Sequence, residues 1–143
     1  MIARSRRRSA VRVPSFEAAE HSAAAHMRSL GYRDARVTQR GSDGGIDVIA
    51  SQAVAQVKWH MTPVGRPDIQ KLYGARGTRH HLDMLFFAAV GFSAQAIQCA
   101  DELGVALLAS YINSPRMLVI HFGFERSLTA DQIVAFAKAT RLL

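Results

Sequence analysis

The chain has 143 residues, 49% of them hydrophobic, and a formal net charge of +7. This is enough apolar material for one domain with one core, which excludes general disorder, and no apolar run approaches the roughly 18 residues that span a bilayer. The single cysteine, Cys99, excludes an intrachain disulfide and reads as a small core residue, in keeping with a reducing, cytoplasmic setting.

Residues 1–14 are an arm with five arginines (Arg4, Arg6, Arg7, Arg8, Arg12) and no acid. No apolar stretch follows that would make the arm a secretory signal. Such a segment is expected to be disordered when free, either tracking phosphates or forming an unremarkable tail. Arg33 to His81 adds eight basic and four acidic residues, whereas the remainder holds five basic and seven acidic ones. The positive excess is therefore concentrated in the arm and in one stretch of the domain, which points to a polyanion such as nucleic acid as partner.

Ser15 reads as an N-cap for a helix over Phe16 to Leu30, with Gly31 as the residue that ends it. Phe16, Ala19, Ala23, Met27 and Leu30 make one apolar stripe at three- and four-residue intervals. Glu17 in the first turn is favoured there by the helix dipole. Ala35 to Gln39 reads as a short edge strand. Arg40 to Gly45 is a turn with three glycines, and Asp43 is a turn residue within it. Ile46 to Ala50 and Val54 to Trp59 follow as two strands joined by Ser51-Gln52-Ala53.

Pro63, Gly65 and Pro67 mark a loop. A helix is expected from about Asp68 to between Tyr73 and Arg76, with Asp68 as cap or first-turn acid and Gly74, Gly77, Thr78 and His80-His81 ending it. Leu82 to Val90 is continuously apolar and reads as a strand buried on both faces. Ser93 caps a helix to Leu103, Gly104 ends it, and Val105 to Ala109 is a further buried strand, so the unit implies a right-handed parallel crossover. Asn113-Ser114-Pro115 is a turn, Met117 to Phe122 a last strand and Thr129 to Thr140 a last helix. The order predicts an α/β sandwich around a mixed sheet that starts with an antiparallel hairpin.

The glycine-rich turn is not a phosphate loop: it lacks the GxxxxGK[ST] spacing and precedes a strand. Six histidines show neither HExxH nor Cys/His zinc spacing. One constellation remains. Residues i and i+2 of a strand share a face, so Gln56 and Lys58 point the same way, and in a hairpin Asp47 lies beside them. A carboxylate, an amide oxygen and an ammonium then converge. The Val57 carbonyl offers a further oxygen. This set suits a hard cation and a water held against a phosphate, with Lys58 orienting or helping to deprotonate the water or steadying the charge on phosphorus. A polar edge strand with a merely solvated Lys58 would read the same way.

These residues resemble the core of the PD-(D/E)xK nuclease superfamily in its Mrr-like restriction endonuclease branch. The match runs over Gly41-Ser42-Asp43-Gly44-Gly45-Ile46-Asp47 and Ala55-Gln56-Val57-Lys58. It continues through Val64, then Asp68 to Gly74, and through Phe86 to Ala100 with Val105-Ala106-Leu107-Leu108 after it. The likeness covers about residues 16–112, is closest in its first half, and takes glutamine in place of the second acid. It implies a restriction-endonuclease-like three-layer α/β/α sandwich over residues 15–143, with residues 113–143 adding a strand and a helix to the family core.

The resemblance also implies a DNA endonuclease that uses Mg²⁺ or Mn²⁺. Asp47, Gln56 and the Val57 carbonyl would be metal ligands, Glu17 a ligand directly or through water, and Lys58 the base or stabiliser. Gln70 would lie near the scissile phosphate. Arg40, Arg66, Lys71 and Arg76, together with the arm arginines, are expected at the DNA. No added recognition domain flanks the core, so specificity is expected from the arm, a partner or DNA shape. Cutting both strands calls for two sites and hence a homodimer. A Holliday-junction resolvase and a DNA-binding module with an inactive site are the alternatives.

Overall fold

The computed structural model describes residues 16–39, 45–110 and 117–121, the last stretch and Ser110 as backbone only. The arm with Ser15, the turn residues 40–44, and the helix expected over Thr129 to Thr140 lie outside them. Helix α1 (Phe16–Ser29) buries Ala19, Ala23, Ala24 and Met27 along the expected stripe. Phe16, the first residue of that stripe, is exposed instead. The helix stops as Gly31 turns to φ 106° and the Tyr32 N–H bonds back to Met27 O at 3.0 Å. That six-to-one bond needs a left-handed residue, which glycine adopts without a Cβ clash.

Six strands form one sheet: β1 (Arg36–Val37), β2 (Val48–Ile49), β3 (Ala53–Lys58), β4 (Asp83–Ala88), β5 (Val105–Ser110) and β6 (Met117–His121). They lie side by side in chain order. β1, β2 and β3 form an antiparallel meander, β3, β4 and β5 run parallel, and β6 returns antiparallel on the far edge. The sheet is mixed, as expected, and β1 is an edge strand. The β2–β3 hairpin closes with Ala50 N–H on Ala53 O at 2.8 Å, and the Asp34 carboxylate accepts the Ser51 N–H at 2.9 Å from outside the turn.

The parallel crossovers carry α2 (Arg66–Arg76) and α3 (Ala94–Leu103). α3 is capped as the sequence predicts: Ser93 Oγ accepts the Ala96 N–H, and Gly104 sits in the left-handed region at φ 75°. α2 differs from expectation. It starts two residues earlier, with Gly65 as N-cap and Pro67 inside the first turn, and it runs through Gly74 to a cap at Gly77. Proline is tolerated there because first-turn N–H groups have no intrahelical partner.

Alternation along the strands divides the interior into two cores. Ala53, Ala55, Val57, Leu85, Phe87, Ala106 and Leu108 pack under α1. Val54, Met84, Phe86, Ala88, Val105 and Leu107 pack under α2 and α3 with Ile69, Leu72, Ala96 and Cys99. The result is a three-layer α/β/α sandwich. β4 is buried on both faces along its whole length, which explains its unbroken apolar run. Its one acid, Asp83, takes the Tyr32 hydroxyl at 2.6 Å in the interior, so the buried carboxylate keeps a partner. Phe86 and Phe87 are fully buried on opposite faces, each contributing about 1.5–3 kcal/mol by transfer from water. No helix among the described residues is long and apolar enough to cross a membrane.

Candidate active site

The hairpin sets Asp47 beside the Ala55–Val57 stretch of β3. Val48 pairs with Ala55 and Ile49 with Val54, so an unbroken ladder would set Asp47 against Gln56. The ladder slips there. The Asp47 N–H donates to Ala55 O at 2.9 Å, although Ala55 is already the partner of Val48. A slip of this kind, as in a β-bulge, re-aims the side chain. The Asp47 carboxylate turns onto β3, where Oδ2 accepts the Val57 N–H at 2.8 Å. The Asp47 carbonyl pairs outward with the Thr38 N–H at 2.9 Å. This local geometry explains why regular β2 spans only Val48–Ile49 and not the full Ile46 to Ala50.

Asp47 is half-buried. Burial raises its pKa above the ordinary aspartate value, and the Val57 N–H opposes that rise in part. A carboxylate desolvated in this way gains most from a nearby cation. Gln56, also half-buried, supplies a second oxygen: its Oε1 is buried without a hydrogen-bond partner. Leaving such an acceptor unpaired costs about 1–3 kcal/mol, so an electrophilic ligand there is worth more than one at a solvated amide. Among the described residues three other buried polar atoms lack partners, at His26, Trp59 and Arg76, but none belongs to a residue on this strand face. Among the described residues no three His, Cys, Asp or Glu gather into a metal-holding cluster. The donor set is thus one carboxylate with neutral oxygens, which fits a hard oxygen-seeking cation and not a thiolate- or imidazole-bound one.

Lys58 follows Gln56 on the same face of β3, but its amine is engaged elsewhere. Nζ lies 2.7 Å from Asp68 Oδ2 in the first turn of α2, and both side chains are partly sheltered, at 31% and 20% exposure. Sequence reading took Asp68 for a cap or first-turn acid and missed this pairing. Its one visible signal was an acid shortly after a proline-bounded turn that follows a strand ending in lysine.

The remaining expected residues are dispersed. Glu17 is exposed in the first turn of α1, a helix that packs on the sheet face opposite Gln56 and Lys58. Gln70 and Lys71 are exposed on α2. Arg66, at the start of α2, approaches Glu102 of α3 at 3.9 Å. Arg76 differs from expectation: it is only 9% exposed, lies over the Tyr73 ring and contacts His80 Nδ1 at 3.2 Å. The apolar face of α2 explains this, since Arg76 follows Ile69 and Leu72 at helical spacing along the buried stripe, with its guanidinium against Tyr73 and His80. Arg40 and the arm arginines lie outside the described residues.

The family model of Mrr catalytic domains, described as "Restriction endonuclease", matches residues 14–111. The chain belongs to that family, a restriction-endonuclease-like nuclease family. No curated protein matches it. A solved structure titled "Crystal Structure of Protein of Unknown Function AF1548" is similar at 19% identity with a TM-score of 0.46, over 63% of this chain and 58% of its own length.

Proposed function

We propose that the protein is a divalent-metal-dependent endonuclease that hydrolyses phosphodiester bonds in DNA, with Mg²⁺ as the ion and Mn²⁺ as a substitute. One observation carries this reading. The desolvated Asp47 carboxylate accepts the Val57 N–H, one residue from Gln56, whose side-chain oxygen is buried without a partner, with Lys58 two residues along the same strand face as Gln56. Asp47 and Gln56 would hold the ion. The Val57 carbonyl lies on the same edge of β3 as the N–H that Asp47 accepts and would add a third oxygen. Glu17 would contribute directly or through water, a role that rests on the family resemblance. When bound, the ion supplies Lewis-acid polarisation of the scissile phosphate.

The chain's own residues do the rest. The Val57 N–H fixes one oxygen of Asp47, so the carboxylate is oriented before substrate arrives. Lys58 orients the attacking water or steadies charge on the phosphate. Water adds to phosphorus, one ester bond breaks and the departing oxygen takes a proton. Gln70, Lys71 and Arg66 on or at the start of α2, with Arg40 and the arm, would hold the DNA backbone, and a homodimer would present two sites to the two strands.

The test incubates purified protein with Mg²⁺ or Mn²⁺ and a panel of plasmid, single-stranded, methylated and four-way-junction DNA, beside Lys58→Ala. Cleavage by the wild type that falls about 100-fold or more in the variant is expected, the scale of a lost catalytic group. Absence of cleavage on every substrate overturns the reading. A strong preference for the junction over linear duplex instead assigns the activity to junction resolution.

A further inference from the structure

Lys58 is paired with Asp68, while a second carboxylate, Asp47, is anchored on the neighbouring residue Val57. Asp47 Oδ2 sits on the Val57 N–H, one residue from Lys58, within reach of a flexible four-carbon side chain. Yet Lys58 Nζ lies 2.7 Å from Asp68 on the other side, at the first turn of α2. Asp68 is not a helix cap: the N-cap is Gly65, which makes no side-chain cap bond. Val64 is in turn tied to the loop after β4, through Val64 N–H to Gly91 O and Ser93 N–H to Val64 O, both 2.9 Å. The start of α2, and with it Asp68, is thereby held at the C-terminal ends of β3 and β4.

We propose that Asp68 is a positioning residue that gives Lys58 a separate counter-ion and so keeps it from closing on Asp47, leaving that carboxylate open to a cation. The inference rests on the proposed metal site and explains how its Asp47 ligand stays free of an internal ion pair. Without Asp68 the Lys58 amine is left with Asp47, one residue away at the Val57 N–H, as a counter-ion, and an internal ion pair there would compete directly with Mg²⁺.

The test is a double-mutant cycle read by calorimetric Mg²⁺ titration of the DNA-free protein, independent of cleavage. Asp68→Asn should weaken Mg²⁺ binding about tenfold, the scale of coupling between neighbouring charged groups. In a Lys58→Met background the same change should cost less than about twofold, because no ammonium remains to be released. Asp68→Glu, which keeps the charge, should stay near wild type. Equal losses in both backgrounds overturn the proposal, since Asp68 then acts only as a distant negative charge. Wild-type binding that Asp68→Asn leaves unchanged overturns it too, and leaves the metal site standing. Absence of Asp47-dependent Mg²⁺ binding in the wild type overturns this inference together with the proposed function. Thermal melting of each variant verifies folding, and the partly exposed pair is expected to contribute little to stability.

Discussion

Gln56 brings an oxygen but no charge, and that choice has a consequence in each state of the site. Replacing it with glutamate puts a second carboxylate on β3 next to Val57, whose N–H already holds the Asp47 carboxylate. Like charges so placed destabilise the metal-free protein by up to about 1 kcal/mol, while the added ligand charge should tighten Mg²⁺ binding about tenfold. A lower melting midpoint without metal and a higher affinity with it are both expected for Gln56→Glu; unchanged affinity would show that the oxygen does not face the ion. His26 presents the opposite case. Its ring stands edge-on to Phe87 at 6.1 Å, its Nε2 is buried without a partner, and burial lowers its pKa below the ordinary 6.5. The folded state therefore declines a proton that the unfolded chain accepts. Stability from this group is present above pH 6.5 and is lost as pH falls through the lower folded value. The urea midpoint should drop between about pH 7.5 and pH 5, and it should drop less in His26→Phe, which keeps an aromatic ring but cannot titrate. Equal acid sensitivity in both proteins would rule His26 out as the cause.

Helix α3 was legible because each of its boundaries has a local chemical cause. Ser93 Oγ takes the Ala96 N–H at 3.1 Å, and removing it by Ser93→Ala should cost about 1 kcal/mol in chemical denaturation with the denaturant slope unchanged. A loss below about 0.3 kcal/mol would mean that solvent serves that N–H equally well. The strands were legible for a similar reason: apolar runs give their number, and the alternation in β3 assigns Gln56 and Lys58 to one face before any coordinates. The start of α2 was not legible. Pro67 looks like a breaker in sequence, and only the actual entry of the chain at Gly65 shows that its missing N–H falls where none is needed. That two-residue shift sets where Asp68 points. The Lys58–Asp68 pair therefore depends on how a helix crosses a strand, which periodicity does not encode. The burial of Arg76 is hidden from sequence on the same grounds: as a letter it is basic, but its position on α2 is on the buried stripe. The place of Asp47 beside β3 was legible because turn length fixes hairpin register, whereas the slip that aims its carboxylate at Val57 depends on backbone geometry alone.

At the scale of the molecule, charge and fold occupy different parts of the chain. The two cores are built from described residues between α1 and β5, and the arginine arm at residues 1–14 is polar and rich in positive charge. Its five positive charges, with no acid among them, suit a sequence-independent hold on phosphates. Each phosphate neutralised lowers the slope of log affinity against log salt by about 0.9. If most of the arm engages duplex DNA, deleting residues 1–14 should flatten that slope by about two to four units and weaken binding most at low salt. Fluorescence anisotropy with a short duplex between about 50 and 200 mM salt measures both quantities. The melting midpoint should stay near that of the full chain, because an arm so rich in arginine has little apolar surface to bury. A deletion that leaves both slope and affinity unchanged would place the arm away from the DNA. The salt dependence would then belong to the domain itself, where Lys71 is exposed on α2 and Arg66 is only partly engaged by Glu102 at its start.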